Sequence, residues 1–109
     1  MTDELKIANY ILNKKIVCEK DLIFSYDCFI ESEEYEKCGI INKLLKKKNF
    51  DNNMYSYSNE YKLIQNGRKR MNILLEDCKE KNLNDLVLSC KNVLLEYDDI
   101  EKGFWELIK

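Results

Sequence analysis

Apolar side chains recur at helical spacing from the beginning of the chain. They follow Thr2-Asp3-Glu4, where early acids favour the positive end of a helix dipole. The first apolar positions are Leu5, Ala8, Ile11 and Leu12. This spacing of three or four residues predicts a first helix over about residues 3–15.

Two further helices are predicted before the middle of the chain. Asp21 is a candidate cap for a short helix that carries Leu22, Ile23 and Tyr26. Ser32 is a candidate cap for a third helix, with acidic neighbours that support its first turn. The apolar stripe of that helix is Tyr35, Cys38, Ile41, Leu44 and Leu45.

The helical pattern then gives way to alternation. Asp51-Asn52-Asn53 is typical of a turn, and two short runs of alternating residues follow on either side of Ser58-Asn59-Glu60. The alternating positions are Tyr55, Tyr57, Tyr61 and Leu63. Because tyrosine favours strands, this pattern predicts a β-hairpin over residues 54–64.

Helical spacing returns after Asn66-Gly67 and continues to the end of the chain. One helix follows this pair, another begins after Asn82 or Asn84, and a last one begins after Asp98-Asp99. The expected fold class is therefore mostly α with a small β-hairpin.

A local resemblance accompanies this order of elements. Residues 61–68, Tyr-Lys-Leu-Ile-Gln-Asn-Gly-Arg, resemble the Tyr-x-Leu-Thr-x-x-Gly-Arg/Lys segment of small winged-helix regulators. Residues 44–50 are similar to the end of the recognition helix in that family. The resemblance covers about residues 33–75, and Ile64 stands where the family has a capping threonine.

The resemblance implies a winged-helix-like single domain over residues 1–109. Its core would occupy residues 1–82, and residues 83–109 would form extra C-terminal helices of the kind that some regulators use to dimerise. The apolar residues from Leu86 to Ile108 exceed what so small a domain covers by itself, so part of them is expected to contact another chain. The candidate interface residues are Leu94, Tyr97, Phe104, Trp105 and Ile108.

Composition argues against most enzyme mechanisms. The 109 residues include no histidine, which removes the commonest general base and the commonest metal ligand. No glycine-rich phosphate-binding motif occurs, and the five cysteines lack the paired spacing of a zinc site. We expect no catalytic activity, no cofactor and no metal.

The same composition indicates an intracellular protein in the cytoplasm or the nucleus. Five cysteines without paired spacing are typical of a reducing compartment. The acidic start and the short apolar runs match neither a secretory signal nor a membrane span, so no membrane association is expected.

Charge is segregated along the chain, although its net value is only −2. Residues 1–36 carry −5, residues 37–72 carry +7, and residues 73–109 carry −4. A local basic field suffices to attract nucleic acid, because binding gains free energy from counterions released by the phosphates. The candidate nucleic-acid-binding residues are Lys43, Lys46, Lys47, Lys48, Tyr57, Lys62, Arg68, Lys69 and Arg70.

Several functions remain open on these residues. The main hypothesis is a small regulator that binds DNA or RNA, mainly through phosphate contacts. Lysine runs at helix ends are commonly just solvated, and the carboxylates within residues 31–36 would repel phosphates at the start of a recognition helix. The alternatives are a protein-interaction or scaffold module, as a homodimer or with another protein, and a factor seated on a ribosome or another RNA–protein particle.

The nucleic-acid hypothesis predicts a steep dependence of affinity on salt. Replacing Lys46, Lys47 and Arg70 with alanine should weaken binding to all sequences by a similar factor. Each lost phosphate contact should lower the log–log salt slope by about 0.7–0.9. Fluorescence anisotropy with duplex DNA and RNA measures both quantities, and binding that is absent at low salt, or insensitive to salt, contradicts the hypothesis.

Overall fold

Five α-helices form the regular structure of the described residues. The computed structural model describes residues 2–47, 49–51 and 53–108. The helices are α1 (Asp3–Leu12), α2 (Glu19–Glu31), α3 (Tyr35–Leu45), α4 (Tyr57–Glu80) and α5 (Asn84–Leu107). The chain divides into two compact units, residues 1–59 and residues 60–109. None of the helices in the described ranges combines the length and the apolar character that a membrane span requires.

The first unit is built on α2, which packs against α1 on one side and α3 on the other. The three helices bury the apolar positions that recur at helical spacing. The largest of these side chains are Ile7, Ile11, Leu22, Phe29 and Ile41. Burial of each contributes about 1.5–3 kcal/mol to folding, so this packing holds the three short helices together.

The boundary between α2 and α3 differs from the prediction. Ser32 was expected to begin the third helix, but it is the C-terminal cap of α2, and α3 begins at Tyr35. Glu33 adopts a left-handed φ of 60°. Its N–H donates to Ile30 O at 3.1 Å, and the next N–H donates to Phe29 O at 2.8 Å. This hydrogen-bond pair is the Schellman motif, which ends a helix by satisfying its last carbonyl groups.

Asp21 caps a helix, but not the helix that the sequence predicted. It lies inside α2, which begins at Glu19, and its side chain is only 1% exposed. Its Oδ2 accepts from Tyr57 N at 3.0 Å, and its Oδ1 accepts from Ser58 N at 3.1 Å. The same Oδ1 accepts from the hydroxyls of Ser56 at 2.7 Å and Ser58 at 2.6 Å. The carboxylate therefore satisfies the first free N–H groups of α4 and lies at the positive end of its dipole.

The predicted β-hairpin is wrong. Residues 57–64 belong to α4, and the described residues contain no strand. The polar residues that suggested a turn instead form the first helical turn, where Ser56 Oγ accepts from Asn59 N at 3.2 Å. Small polar residues favour both turns and helix starts, because in both they bond to nearby backbone groups. The fold class of mostly α with a small β-hairpin, winged-helix-like, is thus replaced by an all-helical fold.

The second unit is a pair of long helices joined by a short turn. The turn repeats the Schellman geometry at Asn82, whose φ is 56°, with Leu83 N donating to Cys78 O at 3.0 Å. The predicted helix start after Asn82 or Asn84 is confirmed, since α5 begins at Asn84. The predicted break at Asp98-Asp99 is wrong, because α5 continues to Leu107.

Removing the Asp21 carboxylate should destabilise the protein strongly. Asp21→Ala leaves the buried N–H of Ser58, the partly buried N–H of Tyr57 and two hydroxyls without their acceptor. We therefore expect a loss of about 2–4 kcal/mol in the free energy of unfolding. Asp27→Ala, at an exposed position of the same helix, is the matched control and should change it by less than about 0.5 kcal/mol. Urea denaturation followed by circular dichroism measures both. Equal effects of the two variants contradict the capping role.

Candidate interaction surface

The two long helices of the second unit run antiparallel. Tyr61, near the beginning of α4, lies against Phe104 and Trp105 near the end of α5, with ring centroids 6.2 Å and 6.1 Å away. At the opposite end, Leu75 and Cys78 of α4 cluster with Cys90 of α5. Each helix has 24 residues and is therefore about 36 Å long. This pair of helices, residues 60–108, is a helical hairpin, unlike the predicted β-hairpin. We call it the hairpin, and we call the contact between its two helices the seam.

A polar network closes one edge of the seam. Arg68 pairs with Glu101 at 2.5 Å and with Asp98 at 3.1 Å. Glu101 also accepts from Gln65 at 2.9 Å and from the Trp105 indole at 3.4 Å. Burial alone would raise the pKa of Glu101, but these hydrogen bonds, chiefly from Arg68, hold that pKa below its ordinary value. The network fixes the register of the two helices.

A glycine allows close approach on the other edge of the seam. Gly67 lies in the middle of α4, and a Cβ atom at this position would overlap the phenol ring of Tyr97. Without a side chain, the backbone of α4 forms a surface on which that ring packs. Gly67 is thus a packing position, although Asn66-Gly67 looked like a turn in the sequence.

An apolar stripe runs along α5 beside the Gly67–Tyr97 edge. Its members are spaced seven residues apart: Leu86, Val93, Ile100 and Leu107. Leu86, Ile100 and Leu107 are each between 49% and 54% exposed, and Val93 is partly buried. Each residue directly precedes a position that faces the seam, so the stripe is turned about 100° away from α4. A seven-residue repeat of this kind is the pattern with which helices pack against other helices.

Leu63 and Leu74 extend the stripe onto α4. They are exposed, at 62% and 47%, and they directly precede the buried residues Ile64 and Leu75. Antiparallel helices are related by a local two-fold axis perpendicular to their common plane. Residues that directly precede a seam residue in the sequence therefore lie on the same side of both helices. We call the six residues Leu63, Leu74, Leu86, Val93, Ile100 and Leu107 the apolar face.

The interface residues that the sequence predicted lie mainly within the hairpin. Phe104 and Ile108 are buried, Leu94 packs against the Cys78–Cys90 cluster, and Tyr97 lies on Gly67. Trp105 is partly buried beside Tyr61 and Phe104. The apolar face instead uses their neighbours. The seven-residue spacing of these neighbours is visible in the sequence and indicates a packing surface. Only the position of α4 shows which stripe of α5 is buried and which is exposed.

Three of the predicted nucleic-acid-binding residues of the first unit form one exposed group. Lys43, Lys46 and Lys47 are exposed at the C-terminal end of α3, and Lys48 lies outside the described residues. Tyr57 is partly buried, with its ring 5.1 Å from that of Tyr10. Tyr57, at the beginning of α4, thus packs against a ring of α1.

The basic residues of the second unit differ in their surroundings. Lys62, Lys69 and Arg70 are exposed along α4. Arg68 is held in the ion pairs with Asp98 and Glu101. Its charge therefore supports the seam, whereas the other three side chains reach solvent.

The comparisons with protein-family models, curated proteins and solved structures found no match to this chain.

The hairpin should tolerate alanine at one glycine and not at the other. Gly67→Ala forces its methyl group into the hydroxyl end of the Tyr97 ring. Displacing the ring costs about 1–3 kcal/mol, and the better helix propensity of alanine offsets part of this cost. We therefore expect a net loss of about 0.5–2 kcal/mol in the free energy of unfolding. Gly103→Ala is the matched control in α5, where a Cβ atom would meet nothing within 4 Å. There the better helix propensity of alanine should add about 0.5–1 kcal/mol. Stabilisation by both substitutions, measured by urea denaturation, contradicts the close packing at Gly67.

Proposed function

We propose that this protein is a protein-interaction module whose apolar face binds another helical protein surface. The observation that carries the proposal is the face itself, in which five leucine and isoleucine side chains on one side of the hairpin are about half exposed. Large contiguous apolar patches are uncommon on monomeric proteins and typically mark sites of association.

The shape of the face favours a helical partner. Two antiparallel helices about 36 Å long present a shallow groove between the apolar stripe of α5 and the two exposed leucines of α4. Such a groove accommodates one or two helices that carry their own apolar residues at three- and four-residue spacing. A small molecule would need an enclosed pocket with a few converging polar groups, and the face consists of apolar side chains on convex helices.

Nucleic-acid binding is a second candidate, favoured by the exposed lysines at the end of α3. Lys43, Lys46 and Lys47 are exposed within one turn of each other, and none has an ion-pair partner among the described residues. The salt dependence described above tests this candidate independently of the apolar face.

Site-specific photo-crosslinking tests the interaction proposal. A benzoylphenylalanine placed at Leu86 or at Ile100 of the full chain, in cells of the organism that encodes it, should form the same discrete protein adduct from both positions. Leu88 and Leu95 are the matched controls, because they are leucines of the same helix, 61% and 62% exposed, outside the apolar face. Adducts that are missing at the face, or equally strong at the controls, contradict the proposal.

A further inference from the structure

We infer that the partner of the apolar face is a second copy of this chain. Two hairpins would meet face to face as a four-helix bundle about a two-fold axis parallel to the helices. The inference rests on the proposed function and specifies its partner. Three features support it: the placement of two opposite charges at the edge of the face, the distribution of apolar residues over the two helices, and the size of the face.

Arg70 and Glu96 lie at the same height on opposite edges of the face. The Tyr61–Trp105 ring contact, with centroids 6.1 Å apart, and the Arg68–Asp98 ion pair give the same register for the antiparallel helices. Arg70 lies two residues after Arg68 on α4, and Glu96 lies two residues before Asp98 on α5. Because the helices run antiparallel, both steps lead to the same height. Both are exposed, and neither has an ion-pair partner among the residues that the structure describes. One hairpin thus presents a positive and a negative charge at a single level.

A two-fold axis parallel to the helices pairs these charges. Rotation by 180° about such an axis keeps every residue at its height and places α4 of one copy opposite α5 of the other. Arg70 then lies opposite Glu96 of the second copy, and the same contact forms a second time by symmetry. A unit with ten acidic and nine basic residues in positions 60–109 has a net charge of −1, so two copies do not repel each other strongly.

The apolar residues match under the same rotation. In the register set by Arg68 and Asp98, Leu74 lies level with the region of Val93, and Leu63 lies between the levels of Ile100 and Leu107. Each α4 leucine of one copy therefore meets the α5 stripe of the other. Opposed apolar rows at this spacing are the usual core of an antiparallel four-helix bundle.

The size of the face also fits a dimer. Helices in contact lie about 8–10 Å apart, so a face two helices wide measures about 20 Å by 36 Å, or about 700 Å². A standard protein–protein interface buries about 800 Å² on each partner. The side of the hairpin that carries the apolar face is thus close to the size that a stable pair of copies needs, with the Arg70–Glu96 contacts at its rim.

Light scattering and sedimentation of the purified full chain test the inference. We expect a species of twice the 13.1 kDa monomer mass at micromolar concentration. Ile100→Glu places a carboxylate in the centre of the interface of each copy and should raise the dimer dissociation constant at least about 100-fold. Leu95→Glu makes the same change on the outside of α5 and should leave the constant unchanged.

A charge exchange tests the arrangement without altering the apolar residues. Arg70→Glu should raise the dissociation constant about 10-fold. At each of the two rim contacts, a carboxylate at position 70 would then face the carboxylate of Glu96 in the other copy. Adding Glu96→Arg to the same chain should restore the constant to within about 3-fold of the original. These exposed positions keep the test decisive if circular dichroism shows that Ile100→Glu disturbs folding.

The outcomes separate this inference from the proposed function. A chain that is monomeric at all concentrations, or a dimer that Ile100→Glu leaves intact, overturns the inference that a second copy binds the apolar face. Failure of the charge exchange to restore affinity overturns the two-fold arrangement and with it the inference. A monomer that still forms one crosslinked adduct with a different protein retains the interaction function, and a monomer without any adduct contradicts both.

Discussion

The capping of α4 by Asp21 is the interaction on which the helical start of α4 depends. A helix begins with N–H groups that have no partner within the helix. Each such group that is buried without an acceptor costs about 1–3 kcal/mol of stability. Asp21 supplies two acceptor oxygens from inside α2, and Ser56 supplies a third acceptor. The segment after residue 56 can therefore be helical from its first turn, and the long α4 that results provides one side of the hairpin.

The seam then decides which apolar side chains reach solvent. Its polar edge, from Gln65 to Glu101, holds the register through charge-assisted hydrogen bonds, which are stronger than neutral ones. Its other edge depends on Gly67, because a ring can lie on a helix backbone only where no Cβ atom stands in the way. Together they leave exposed the side chains that directly precede the seam. The apolar face is thus a consequence of how the seam is packed.

The sequence predicted helices well wherever burial on one side produced a regular spacing. It placed α1, α3 and the start of α5 within a few residues, because a three- or four-residue period reflects burial against a single neighbour. It failed at residues 54–64, where tyrosines at alternate positions also fit a helix that uses only some of them for packing. It failed again at Asp98, which interacts with Arg68 of the neighbouring helix instead of beginning a new one.

The sequence by itself determined the tendency to form helices outside residues 54–64, the segregation of charge, and the surplus of apolar residues towards the C-terminus. Only the tertiary structure decided what Asp21, Gly67 and Arg68 do, because each acts on a partner 30 or more residues away. It also divided the apolar residues of α5 into buried and exposed rows. A repeat along one helix records that the helix packs, but the neighbouring helix selects which of its rows is buried and which remains available for another protein.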